Sequence, residues 1–255
     1  MYFIDSHAHL YTEAFSNDQD DMIQSALAAN VTKFVLPNID LSTIDAMKSL
    51  QSRYPLNCFP TLGLHPCDVK PEFRNTLHEM EAQLTQFQFY GIGETGTDAY
   101  WDTTYWNEQI ESFSIQIDWA KKLKKPIIIH SRNSLQENID IIQKEQDGFL
   151  TGVFHCFGGD LMQAQSIIDL GFMLGIGGTI TYKKNPLKDI IPSIGLSHLV
   201  LETDSPYLSP EPLRGQRNTP ANIPIVAEFL ARTLDCTLEE VANATSQNAQ
   251  NLFKI

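Results

Sequence analysis

The chain has 255 residues, 42% hydrophobic and 19% charged, which suits one large α/β domain or two smaller ones and excludes a disordered chain. A formal net charge of -13 excludes a broad basic footprint for duplex nucleic acid. Phosphate esters remain accessible to an acidic protein if bound cations reverse the potential locally, so affinity for a long polyanion should be weak and depend on divalent metal.

The first predicted strand, near 2–6, runs into His7-x-His9. Period-two spacing points both imidazoles to one side. Such a pair suits Zn, Mn, Fe, Co or Ni. A helix near 17–29, a strand near 32–36, a helix near 41–53 and a strand near 57–63 come next, and His65 stands just beyond. After a helix near 73–87, a strand near 89–93 puts Glu94 at its end, where a carboxylate can bridge two cations with one oxygen on each. Tyr100 and Trp101 lie further along on the same mouth, as rings able to stack on a terminal base or to pack the loop.

The helix near 105–123 carries Ile110, Phe113, Ile117, Ala120 and Leu123 at spacings of three and four, the stripe of a helix packed on a sheet. A strand near 126–130 ends on His130, with Arg132 beyond it. A helix near 133–146 and a strand near 150–155 lead to His155. A helix near 160–169, a strand near 171–175, a helix near 186–193 and a strand near 198–202 bring the chain to Asp204, and Arg217 lies in the loop beyond. Two helices close the sequence, near 221–234 after Pro220 and near 238–252 after a capping box of Thr237 and Glu240.

Eight strands alternating with helices predict a single-domain (β/α)8 barrel over residues 1–255. A doubly wound sheet competes, but it usually carries a glycine-rich loop after its first strand, and SHAHLY has no glycine. Ligand-type side chains at the ends of successive strands are how such a barrel assembles a metal site at one mouth. His78, inside a helix, and His198, before the last strand, do not fit that pattern. Glu202 shares the strand face of Asp204 and is expected to support the site or the core.

The four cysteines form no C-x-x-C pair and read as reduced, mostly buried thiols of a cytoplasmic protein. Cys156 is assigned to packing, because it should face away from its neighbour His155. No apolar run reaches the ~18 residues of a transmembrane helix, and no secretory signal is visible.

In order along the chain stand D-S-H-A-H (5–9), G-L-H-P (63–66), G-E-T-G-T-D (93–98), I-H-S-R (129–132), H-C-F-G-G (155–159), E-T-D-S-P-Y-L (202–208) and R-G-Q-R-N (214–218). This set resembles the TatD family of metal-dependent hydrolases, within the amidohydrolase-like barrels. The resemblance implies a first divalent metal on His7, His9, Glu94 and Asp204, and a second on Glu94, His130 and His155. It also implies that His65 contacts substrate at the rim. Members of the family are described as deoxyribonucleases, several of them 3′-to-5′ exonucleases using Mg, Mn or Zn. The chain departs from the common pattern at Thr95, Thr97, Asn133, Gly158 and Thr219, none of which is a proposed ligand.

The expected chemistry is a metal-activated hydroxide attacking phosphorus at a DNA end, with Asp204 receiving its proton. Arg132 and Arg217 are candidates to hold a phosphate oxygen, or alternatively to anchor loops by ion pairs. A metal-dependent amidohydrolase or esterase acting on a small carbonyl substrate is the alternative. Several such barrels bridge their metals with a carboxylated lysine where this chain has Glu94, which favours the TatD-like branch. A non-catalytic barrel with a structural metal is a third possibility, although closed structural zinc sites use four protein ligands. No membrane and no obligate protein partner is expected.

Overall fold

Eight short parallel strands lie in two sheets in the computed structural model, which describes residues 1–255. One sheet holds β1 (Phe3–Asp5), β2 (Val31–Leu36) and β3 (Cys58–Pro60). The other holds β4 (Ile92–Asp98), β5 (Ile127–Arg132), β6 (Gly152–Phe154), β7 (Met173–Ile176) and β8 (Leu199–Leu201). The sheets meet at two seams. At the first, Leu62 bridges Ile92 and the Gly93 N–H donates to the Leu62 carbonyl at 2.8 Å. At the second, Ala8 bridges Ser205, the Ser6 N–H donates to the Leu201 carbonyl at 2.9 Å, and the Asp204 N–H donates to the His7 carbonyl at 2.9 Å. The architecture is the expected (β/α)8 barrel.

Asp5 fastens the second seam. Its buried carboxylate accepts from the Thr203 hydroxyl at 2.6 Å, the Thr203 N–H at 3.0 Å and the His7 N–H at 3.2 Å. Burial pushes the carboxyl up to about 8 even against these bonds.

Helices α1 (Gln19–Ala28), α2 (Ile44–Arg53), α3 (Phe73–Gln83), α4 (Trp106–Leu123), α5 (Leu135–Glu145), α6 (Leu161–Asp169) and α7 (Leu187–Ile194) alternate with the strands. Helices α8 (Ile223–Leu234) and α9 (Leu238–Phe253) come after β8, and α9 opens with the predicted Thr237–Glu240 capping box. No helix is long and apolar enough to cross a membrane.

Strand alternation divides the apolar side chains between two cores. Ile127 and Ile129 of β5 join the larger core, together with Phe154, Leu174 and Leu201. Ile4, Val35, Ile128, Val153 and Val200 form a smaller one with Ala249, Leu252 and Phe253 of α9. Branched side chains of this size are what fill a barrel interior. The period of two carries the inward direction on toward the mouth: two residues beyond Ile128 comes His130, beyond Val153 comes His155, and beyond Val200 comes Glu202. Three site residues thus stand directly above the inner core.

Several strand boundaries differ from expectation: β5 runs on to Arg132, so His130 lies within it and not at its end, and β6 is only Gly152–Phe154. The strand predicted near 57–63 is only Cys58–Pro60. The fourth strand starts later than predicted and runs on through G-E-T-G-T-D to Asp98, so Glu94 lies within it and not at its end. A segment rich in Gly, Thr and Asp reads as a loop, yet Gly96 (φ +132°) lets this backbone press against that of His130. A Cβ at Gly96 would run into the His130 carbonyl.

Gly152 makes a similar approach at the start of β6, where a Cβ would meet the Ile127 carbonyl and lie 2.7 Å from the Phe172 ring. Gly152→Ala is expected to destabilise the fold by about 1–3 kcal/mol, the usual cost of overpacking. Thermal denaturation should show a lowered Tm; an unchanged Tm would mean that the β5–β6 contact is looser than described.

Candidate metal centre

Two sets of donor atoms converge at the mouth and share one carboxylate. In the first, His7 Nε2 lies 3.2 Å from His9 Nε2, 3.1 Å from Glu94 Oε2 and 3.6 Å from Asp204 Oδ1. His9 Nε2 lies 3.4 Å from both Glu94 Oε2 and Asp204 Oδ1. An ion at the usual ~2.0–2.1 Å from each of four tetrahedral ligands separates them by ~3.3–3.4 Å. The spacing therefore fits a common cation. Two imidazole nitrogens 3.2 Å apart beside two carboxylate oxygens also need something positive between them.

The second set surrounds the other oxygen of Glu94. His130 Nδ1 is 2.8 Å and His155 Nε2 2.9 Å from Glu94 Oε1, and the two nitrogens are 3.4 Å apart. His65 Nε2 also enters, 3.5 Å from Glu94 Oε1 and 3.3 Å from His130 Nδ1. The His7 and His155 rings, one from each set, stack at 3.9 Å.

Outer partners decide which ring nitrogen carries the proton. The Tyr11 hydroxyl donates to the Pro37 carbonyl at 2.5 Å, so toward His9 Nδ1, at 3.1 Å, it can only accept. His9 therefore bears its proton on Nδ1 and turns a lone pair of Nε2 into the first set. For His130, Nε2 donates to Asp98 Oδ2 at 2.9 Å, which leaves Nδ1 free toward Glu94. Carboxylate–histidine pairs of this kind orient metal-binding imidazoles. His155 Nδ1 has Glu202 Oε1 at 3.6 Å, too long for a hydrogen bond, and His7 Nδ1 is buried without a partner.

His65 is the exception. Its Nδ1 accepts from the Cys67 N–H at 3.1 Å, which places the proton of the neutral ring on Nε2. It therefore presents a donor, not a lone pair, to the second set. Tyr11, Asp98 and Cys67 carry this proton arrangement, and none was singled out from sequence. A usable signal existed for Asp98, which shares a strand face with Glu94 at a spacing of four.

Glu202 is buried, accepts from the Cys156 N–H at 2.5 Å, and fits because residue 175 is glycine. Cys156 lies beyond β6 in a left-handed turn (φ 47°), so alternating strand faces do not explain its orientation. Only Cys58 of the four cysteines is fully buried, fewer than expected.

Burial pushes the Glu94 carboxyl up, but the His155, His7 and His65 imidazoles and the bond to His130 outweigh it and hold the group well below its ordinary range. For His9, burial acts downward, yet Tyr11, Asp204 and Glu94 raise it well above the ordinary imidazole value. Glu94 and Glu202 do the same for His155 against its burial.

The donor sets open into a cavity of about 480 Å³ lined by His65, Trp101, Arg132, Tyr207 and Leu208 among others. Arg132 sits over the rings of Tyr100 (4.1 Å) and Trp101 (5.2 Å) and pairs with no carboxylate. Tyr100 is at the edge of Trp101 and does not line the cavity. Arg217 also stays outside it: its guanidinium pairs with Asp18, donates to the Ala14 carbonyl at 2.5 Å and covers Phe15. The expected phosphate contact from Arg217 is thus replaced by its alternative, a loop-anchoring ion pair.

Comparison with known proteins agrees with the motifs. Residues 4–254 match the family model for TatD related DNase. The chain is 34% identical over 253 residues to the uncharacterized metal-dependent hydrolase YabD of Bacillus subtilis, covering 98% of each. It is 32% identical to the uncharacterized metal-dependent hydrolase YcfH of Escherichia coli, covering 100% of this chain and 97% of the other. The crystal structure of YjjV, a TatD homologue from Escherichia coli, superposes with a TM-score of 0.93 at 29% identity, covering 99% and 98% of the two chains.

Metal binding needs neutral imidazoles, so ions must displace the protons that the carboxylates hold on His9 and His155. Affinity for Mn or Zn should rise with pH, with net proton release in calorimetry run in two buffers of different ionisation enthalpy. Asp98→Ala and Tyr11→Phe should each weaken metal binding roughly 10–100-fold by removing an outer partner. Equal affinities in wild type and both variants would show that the proton arrangement does not govern ion binding.

Proposed function

Taking as premise that the chain is a metal-dependent hydrolase of the TatD family, we propose that it is a deoxyribonuclease using two divalent ions, Mg, Mn or Zn, to release nucleotides from DNA ends in the 3′-to-5′ direction. The observation that carries the two-ion reading is charge. Glu94, Asp98, Glu202 and Asp204 lie in or directly behind the donor sets, and their ion-pair partners are histidines, with no lysine or arginine among them. Carboxylates withdrawn from water need compensating charge, and four of them match two divalent cations. His7, His9, Glu94 and Asp204 would hold one ion, and Glu94, His130 and His155 the other.

Bound there, such ions supply Lewis acidity and lower the pKa of water. The remaining work falls to side chains. Asp204 turns Oδ1 into the first set, which leaves its second oxygen to take a proton from the attacking water. His65 presents Nε2–H, a donor for an oxygen of the substrate phosphate. Arg132 offers its planar fork to another phosphate oxygen while Tyr100 and Trp101 hold it in place. Trp101, exposed at the lip, can also stack on the terminal base, with Tyr100 supporting its ring. The unpaired guanidinium beside the donors favours an anionic phosphodiester over a neutral amide or ester. We place the activity in the cytoplasm, in keeping with four unlinked cysteines.

End-labelled single- and double-stranded DNA should lose mononucleotides from the 3′ end with added Mg or Mn, and chelation should abolish the reaction. Asp204→Asn should lower kcat by roughly 10²–10⁴, the range for a lost general base, while the protein stays folded. Turnover of an amide or ester panel without DNA cleavage would select the amidohydrolase alternative.

A further inference from the structure

A second anion-facing feature lies outside the cavity. The loop after β7 carries Lys183 and Lys184, both exposed and neither within ion-pair distance of a carboxylate. Next to them, Tyr182 donates its hydroxyl to the Ser209 carbonyl at 2.9 Å, and the Glu211 N–H donates to the Thr181 hydroxyl at 2.8 Å. These bonds fasten the β7 loop to the segment just after Tyr207 and Leu208, two residues of the cavity wall. Arg214, from the loop after β8, lies over the Tyr182 ring at 4.4 Å, and its only carboxylate neighbour, Glu211, stands at 4.0 Å. Three exposed cations thus lie on loops tied to the segment that follows the cavity wall, in a protein whose net charge is -13.

From this placement we propose that Lys183, Lys184 and Arg214 form a docking ridge for the phosphates upstream of the scissile one, so that the substrate is a strand of several nucleotides and not a small phosphodiester. The proposal rests on the nuclease reading and extends it from the cavity to the surface. Its physical basis is counterion release: each cation that neutralises a phosphate adds affinity, and only a polyanion long enough to reach the ridge benefits. A dinucleotide filling the cavity gains nothing from it. The stacking of Arg214 on Tyr182 fixes one member of the ridge, and the two lysines act as mobile point charges beside it.

The test uses 5′-fluorescein oligothymidylates of two and twelve nucleotides with the metal-loaded protein, comparing wild type with Lys183→Ala/Lys184→Ala/Arg214→Ala. The triple variant should lose roughly tenfold in kcat/KM on the twelve-mer and leave the two-mer unchanged. Its log–log salt slope for twelve-mer binding, read by fluorescence anisotropy, should be shallower by about 2, near 0.7 per lost cation. Lys183→Arg/Lys184→Arg should retain wild-type behaviour. Equal effects on both lengths, or an unchanged salt slope, would overturn the ridge. A wild type that binds the twelve-mer with the expected slope yet cleaves neither oligonucleotide would leave the ridge standing and remove the nuclease reading. No binding and no cleavage would remove both.

Discussion

The Glu94 carboxylate governs the site. Its Oε2 faces His7 and His9, and its Oε1 faces His130, His155 and His65, so one side chain is the common edge of two donor sets. A buried carboxylate surrounded by five imidazoles is stable only if the positive charge it meets is well placed. That requirement propagates outward. Each histidine must present a particular nitrogen, and for two of them a partner on the other nitrogen fixes which one. Tyr11 and Pro37 do this for His9, and Asp98 for His130. The barrel supplies such partners because neighbouring strands bring their C-terminal ends together at a single mouth.

His65 shows that proximity alone does not make a ligand. Its Nε2 is as close to the second set as a coordinating atom would be, but the backbone N–H of Cys67 occupies Nδ1 and reverses the direction of donation. The turn that does this begins with Pro66, which has no N–H of its own, so the first available donor is that of Cys67. A short local sequence therefore separates a ring that turns an N–H toward the shared carboxylate from neighbours such as His9 and His130 that turn lone pairs toward it.

Much of this was legible in the chain. The helices fell within a few residues of their predicted limits because their apolar stripes are regular, and His130 and His155 could be placed because the pleat aligns them with Ile128 and Val153. Other features were hidden for physical reasons. Glycines that permit close backbone approach left the end of β4 beyond Glu94, and with it Asp98, outside the predicted strand. The bond from Tyr11 to Pro37 spans two strands, and no local pattern announces it. Arg217 resembled a phosphate ligand in sequence, yet Asp18, 199 positions away, claims its guanidinium.

The acidity of the protein bears on the proposed substrate as well. A net charge of -13 repels a polyanion over roughly the Debye length of ~8 Å at physiological ionic strength, so most of the surface discourages binding. His7 is fully inaccessible and Glu94 is 2% exposed, while His130 and Asp204 are partly buried, so a scissile phosphate meets the donors inside the cavity. An internal phosphate of a paired duplex carries its neighbours and its complement with it, which a recessed cavity of about 480 Å³ disfavours. A strand end can enter alone. Repulsion elsewhere and depth at the mouth thus act in the same direction, and on the nuclease reading they select chain termini without any contact that reads a base.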